Sequence, residues 1–172
     1  MSIPSQAISA YVRSLRQHHA TGDATEHTYR PAMQTLLDSL RTEIFATNEP
    51  KRIECGAPDF SIARKTPHGP VTLGYMEAKD IGEDLAAIEK DSGRVNPATA
   101  NGRQLKRYRE ALPNLLFTDY LEFRWYINRA RLIDPVRIGS VDGAGELKVD
   151  MHGQTAVLTL LGEFLDHTPG EV

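Results

Sequence analysis

The chain has 172 residues, 40% of them hydrophobic and 25% charged, a composition that excludes wholesale disorder and allows one domain with a sizeable core. No apolar run is long enough to span a membrane, and the formal net charge of −3 lacks the bulk signature of a nucleic-acid binder. Contact with nucleic acid would therefore have to come from local basic patches or bound metal. The N-terminus, MSIPSQAISAYVRSLRQ, lacks the basic-then-apolar layout of a secretion signal, and the single cysteine, Cys55, has no internal disulfide partner. Both features lead to the expectation of a reducing cytoplasm and no membrane.

Residues 4–20 predict a helix, with Pro4 in the first turn and Ala7, Ala10, Tyr11 and Leu15 at three- to four-residue spacing. Thr21-Gly22-Asp23 breaks it. This divides the chain into an N-terminal helix (1–24), a main domain (25–165) and a tail or linker (166–172). A second helix is expected over 25–42, with Thr25 as N-cap and an apolar stripe through Tyr29, Met33, Leu36, Leu37, Leu40 and Ile44. Pro31 inside it implies either a kink or a continuous helix that starts only there. Residues 52–54, 58–64 and 71–79 read as successive strands, the last central by its apolar density. A short helix over 82–91 and a loop from Ser92 follow.

The next helix, about 99–112, ends at Pro113. Residues 115–118 read as a buried strand and 121–126 as a half-exposed one, joined by a hairpin at Asp119-Tyr120. A further strand is expected over 131–140, then a Gly-rich turn and a helix over 154–165. Helix, strands, helix, strands favours an α/β sandwich with a mixed central sheet.

The chemistry concentrates between Gly56 and Asp80, GAPDFSIARKTPHGPVTLGYMEAKD. Side chains alternate along a strand, so Glu77 and Lys79 share a face while Met76 and Ala78 point away. Pairing of the two strands brings Asp59 beside Glu77. Adjacent carboxylates repel, and a hard cation such as Mg²⁺ resolves the repulsion; the Ala78 carbonyl is a further oxygen ligand in reach. On spacing alone, Glu77 and Lys79 read equally well as solvated positions on an exposed sheet face. Arg103, Lys106, Arg107 and Arg109 make the following helix basic, either as a DNA-phosphate surface or as a solvated face. Arg124, Arg129, Arg131 and Arg137 form a weaker basic patch. There is no phosphate-binding G-x-x-x-x-G-K-[ST] loop and no Gly-rich methyl-donor loop.

GAPDF and GYMEAKD together resemble the PD-(D/E)xK nuclease signature, and Gln104 with Tyr108 in GRQLKRYREALPN matches the Q-x-x-x-Y arrangement of its Mrr-like branch. With TEHTYRPAMQTLL and NLLFTDYLEFRWY added, the ordered blocks are similar to the N-terminal nuclease region of type ISP restriction-modification enzymes. The resemblance implies an α/β PD-(D/E)xK nuclease fold with a mixed central β-sheet flanked by helices. It implies a Mg²⁺-dependent endodeoxyribonuclease, Mn²⁺ substituting, that cuts double-stranded DNA in phage defence. Asp59 and Glu77 would be metal ligands together with the Ala78 carbonyl, and Lys79 the water-activating residue. Glu26 would support the metal, with Glu43 on the early helix as second choice, and Gln104 would reach the site from the following helix. Tyr108 reads mainly as core and His27 as solvated. Helicase-like ATPase, methyltransferase and target-recognition parts would lie elsewhere in a larger chain. The alternatives are an inactive nuclease-fold assembly module and a stand-alone structure-specific nuclease.

Overall fold

The computed structural model describes residues 2–168; most of the expected tail, 169–172, lies outside the described residues. Helix α1 (Ile3–His19) begins at Ser2, whose hydroxyl accepts a hydrogen bond from the Ser5 amide, with Pro4 in its first turn. A 3-10 turn (Glu26–Tyr29) leads into α2 (Arg30–Leu40). Pro31 falls in the first turn of α2, where a missing N–H costs no helical bond, so of the two expected alternatives the helix starts beside Pro31. The chain then turns into β1 (Ile44–Asn48), a strand not expected from the sequence because its apolar residues continue the spacing of the preceding helix. Residues 52–54 form no strand, only an isolated bridge between Ile53 and Gly56.

Next come β2 (Phe60–Thr66), β3 (Gly69–Ala78), α3 (Leu85–Ser92) and α4 (Ala100–Ala111). They are followed by β4 (Asn114–Thr118) and β5 (Glu122–Ile127), with Asp119 and Tyr120 in the turn as expected. The long strand expected over 131–140 is broken by Pro135, which offers no N–H to a ladder, into β6 (Ala130–Arg131), β7 (Val136–Arg137) and β8 (Gly139–Val141). Strand β9 (Leu147–Val149) pairs with β8 as a separate ribbon, and α5 (Met151–Asp166) closes the described chain.

The described residues build a seven-stranded sheet in the order β1-β2-β3-β4-β5-β6, with β7 also on β5. It is a mixed sheet: β3 and β4 are parallel and every other pair is antiparallel. The parallel step requires a crossover, supplied by α3, the loop after it and α4. Helices α1, α2 and α5 cover one face, where Leu15, Met33, Leu37 and Phe164 meet Phe60, Ile62, Met76, Phe123 and Trp125. Helices α3 and α4 cover the other, where Leu85, Leu105 and Tyr108 meet Leu115, Phe117 and Tyr126. The α/β architecture with a mixed central sheet between helices is the one expected, and β3 is central in it. Among the described residues no helix is long and apolar enough to cross a membrane.

Strand β5 corrects the half-exposed reading. Phe123 and Trp125 pack toward α5, but the polar side is buried as well. Arg124 lies against α3, paired with Glu89 at 2.7 Å and Glu122 at 2.9 Å, and the Tyr126 hydroxyl donates to Glu89 at 2.7 Å. The alternation was real, but its charged half faces a helix that neutralises it.

A candidate active site at the ends of the central strands

Alternation along β3 turns Tyr75, Glu77 and, just past the strand, Lys79 toward α4, while Met76 and Ala78 face α2 and α5. Asp59 precedes β2, whose Phe60 pairs with Met76, so the two acidic residues meet at the same end of the ladder. The Asp59 amide donates to Glu77 Oε2 at 3.3 Å, and Asp59 Oδ2 accepts from the Ala78 amide at 2.8 Å. Lys79 Nζ lies 3.3 Å from Glu77 Oε1 and donates to Gln104 Oε1 at 2.8 Å. Asp59, Glu77 and Lys79 are only 8%, 5% and 9% exposed, burial that charged groups tolerate only when paired. The Lys79 amide is tied to the Thr118 carbonyl at 2.8 Å, so the parallel partner strand fixes where the lysine emerges.

Gln104 is held in turn. Its side chain bonds the Tyr108 hydroxyl, which also bonds the Ala57 backbone. Tyr108 is therefore core, as expected, and also the anchor of Gln104. Burial and the Glu77 charge push its hydroxyl above the ordinary tyrosine value. Gly56 of the GAPDF block is fitted to it: a Cβ there would stand 3.0 Å from the Tyr108 ring, on a backbone at φ +139°.

Glu26 also reaches the site, from the 3-10 turn rather than from a helix. Its amide donates to Asp80 Oδ1 at 2.6 Å and its carbonyl accepts from the Tyr120 hydroxyl at 2.6 Å. Burial and the Asp59 charge raise the Glu26 carboxyl above its usual range, with Lys79 opposing. Glu43 is not on the early helix: it sits in the turn before β1, and its carbonyl accepts from Lys65 at 2.8 Å, at the opposite end of the β1–β2 ladder from Asp59. At about 3.3 Å per residue the six steps from Asp59 to Lys65 separate the two by roughly 20 Å. His27 is solvent-facing, as expected.

The sequence reading missed Arg30. It lies at the head of α2, 6% exposed, with Nη2 on Asp59 Oδ1 and Nη1 2.7 Å from Glu49 Oε1. Its signal was available: Arg30 shares a helix face with Met33 and Leu37, so an arginine stands on the buried stripe. Burial and the Asp59 charge push the Glu77 carboxyl up to about 7, with Lys79 opposing.

The basic face of α4 is largely committed to its own fold. Arg103 donates to the carbonyls of Pro97 and Ala98, and Lys106 to those of Arg94 and Val95 at 2.7 and 2.8 Å. Arg109 donates to Ser92 Oγ and the Arg129 carbonyl and lies 4.6 Å over the Tyr126 ring. Arg107 is exposed and has no hydrogen-bond or ion-pair partner among the described residues. In the weaker patch, Arg124 is buried, and Arg131 and Arg137 pair with Glu89 and Glu122. Cys55 is half-buried and its thiol is pushed up by burial, the environment of a packing residue.

No protein-family model matches the chain, and no curated protein matches it in sequence. Among solved structures it is similar to a chain of the cryo-EM structure of a DrdV–DNA complex. The TM-score is 0.66 at 20% identity, over 95% of this chain and 99% of that one. That likeness establishes the fold. It spans nearly the whole chain.

Among the described residues no group of three or more His, Cys, Asp and Glu side chains is gathered to hold a metal ion. The oxygen donors at the site still suit a hard cation. Mg²⁺ commonly takes one or two carboxylates and completes its shell with water and substrate phosphate, and Asp59 and Glu77 are two.

Proposed function

We propose that this chain is a metal-dependent DNA endonuclease module acting on double-stranded DNA, the nuclease part of a type ISP restriction-modification enzyme. The observation that supports it most is the convergence of Asp59, Glu77, Lys79 and Gln104, drawn from three separate elements onto one buried, hydrogen-bonded point. A buried carboxylate pair that would repel, with a lysine held beside it, has no role in packing that an apolar cluster would not fill better. The fold shared with a chain of the DrdV–DNA complex supports DNA as the substrate.

In this reading Asp59, Glu77 and the Ala78 carbonyl would hold Mg²⁺, or Mn²⁺ in its place, with Glu26 as a supporting ligand or a contact to metal-bound water. The bound ion supplies charge against the phosphate and lowers the pKa of a coordinated water. Gln104 and Glu77 fix Lys79 Nζ, which orients the attacking water in line with the leaving 3′-oxygen, so that the phosphate stays on the 5′ end. Arg107 contributes a phosphate contact from α4. Translocation and target reading fall to helicase-like ATPase, methyltransferase and target-recognition parts of a larger chain.

The test is nicking of supercoiled plasmid by the full chain in Mn²⁺ and in Mg²⁺ at low salt, beside Lys79→Ala. The expected result is metal-dependent nicking that falls by about 10²-fold or more in the variant with the circular dichroism unchanged. Equal nicking by both proteins, or no metal binding by the native chain, overturns the proposal.

A further inference from the structure

We propose that Arg30 is a built-in counter-cation of this site: its guanidinium and a divalent metal are alternative partners of Asp59, and metal binding displaces Arg30 from Oδ1. The inference rests on the metal-dependent reading above and concerns what the site does before metal arrives.

Both Asp59 oxygens are occupied. Oδ2 accepts from the Ala78 amide at 2.8 Å, a donor fixed by the β3 backbone, whereas Oδ1 is held by the Arg30 side chain. Only the second bond can be released by rotating a side chain. The other carboxylate is matched in the same way, Glu77 Oε1 by Lys79 at 3.3 Å. Asp59 and Glu77 thus each have one cation beside them, and Arg30 also pairs with Glu49 at the rim. An ion that takes Asp59 through Oδ1 meets the Arg30 guanidinium unless it withdraws, whereas Lys79 is retained by Gln104 as well.

Arg30 has somewhere to go. Its Nη1 is 2.7 Å from Glu49, whose side chain is 74% exposed and free to follow it. The Tyr120 hydroxyl lies against the same guanidinium. Arg30 Nε is buried without a hydrogen-bond partner, so the fork is not fully satisfied where it stands. Glu49 is tethered beside Asp59, its amide donating to the Asp59 carbonyl at 2.9 Å, so a withdrawn Arg30 stays at the rim of the site.

The test is Mn²⁺ titration of the full chain by calorimetry for the native protein, Arg30→Gln and Arg30→Lys, with thermal unfolding in chelator and in Mn²⁺. Arg30→Gln should bind Mn²⁺ on the order of tenfold more tightly, the scale of one screened unit charge a few ångström from a divalent ion. It should also unfold at lower temperature in chelator and recover most of that loss in Mn²⁺. Arg30→Lys, which keeps the charge, should bind as the native chain does. Equal or weaker binding by a folded Arg30→Gln, while the native chain binds, overturns the inference and leaves the metal reading standing. Binding by none of the three overturns both.

If Arg30→Gln does not fold, the native protein still decides. The Arg30 guanidinium resonances in the nitrogen–proton spectrum should shift along the same isotherm as Mg²⁺ binding. Resonances that stay fixed while Mg²⁺ binds overturn the inference.

Discussion

Burial beside Asp59 leaves Glu77 poorly able to keep a charge without help. Its carboxyl is raised from the ordinary value of 4.5 to about 7. Between those values the folded chain holds a proton that the unfolded chain has released, so stability falls as pH rises through that window and the loss is complete above it. In chelator, the melting temperature should therefore decline from about pH 5 to pH 8, and Glu77→Gln should flatten much of the decline. Glu26 and Asp119, both raised chiefly by burial, act in the same direction. On the proposed metal reading Mn²⁺ takes the Glu77 carboxylate, so calorimetry should show tighter binding at the high end of that range and protons released on binding. At this scale the site was largely legible: PD followed by E-x-K fixes which strand face carries the charges, and Q-x-x-x-Y fixes which helix face meets them. Arg30 was not, because an arginine among apolar positions reads as an interruption of the stripe until its acceptor, Asp59, is seen across the fold.

Helix α4 shows how charge alone misleads at the scale of an element. Its boundaries follow from local chemistry: Thr99 caps it, accepting from the Gly102 amide at 2.9 Å, and Pro113 stops it. The tasks of its cations depend on carbonyls in the preceding loop, which no periodicity reveals. Two substitutions separate the roles. Lys106→Ala should cost about 1–2 kcal/mol of stability by freeing the Arg94 and Val95 carbonyls, read by urea unfolding, with little change in the salt dependence of DNA binding. Arg107→Ala should leave stability unchanged, weaken DNA binding uniformly across sequences and reduce the salt slope by about one. The contact of α4 with α3 is equally tight. A Cβ on Gly102 would run into Asp91 Oδ2, and Asp91 is occupied in holding the Ala98 and Thr99 amides. Gly102→Ala should therefore destabilise by about 1–3 kcal/mol and loosen the loop, detectable as faster proteolysis near Val95.

Over the whole molecule, α1 belongs to the same core as the sheet it covers. Ile8, Tyr11, Val12 and Leu15 are buried with Met33, Leu36, Phe60 and Phe164. The Tyr11 hydroxyl donates to the Tyr120 carbonyl at 2.7 Å, and the Tyr120 hydroxyl to the Glu26 carbonyl, a chain of bonds from α1 through the β4–β5 turn to the rim of the site. Leu15→Ala should cost about 2–5 kcal/mol with one cooperative transition retained, and removal of residues 1–24 should abolish that transition, both read by calorimetry. The amphipathic spacing of α1 was visible in the sequence. Its partner surface was not, since that surface joins the neighbouring α2 with Tyr120 and α5, more than a hundred positions away.

The parallel pairing of β3 with β4 has a consequence for how the protein is made. Ala78 pairs with Thr118, so the strand that carries Glu77 and Lys79 has no neighbour on that side until the crossover has left the ribosome. At roughly 5–20 residues per second that interval lasts several seconds, during which Lys79 lacks both Gln104 and the Thr118 carbonyl. If the site cleaves as proposed, a nascent chain is without it until then: Asp59, Glu77 and Lys79 are synthesised first, and the helix and strand that fix Lys79 follow.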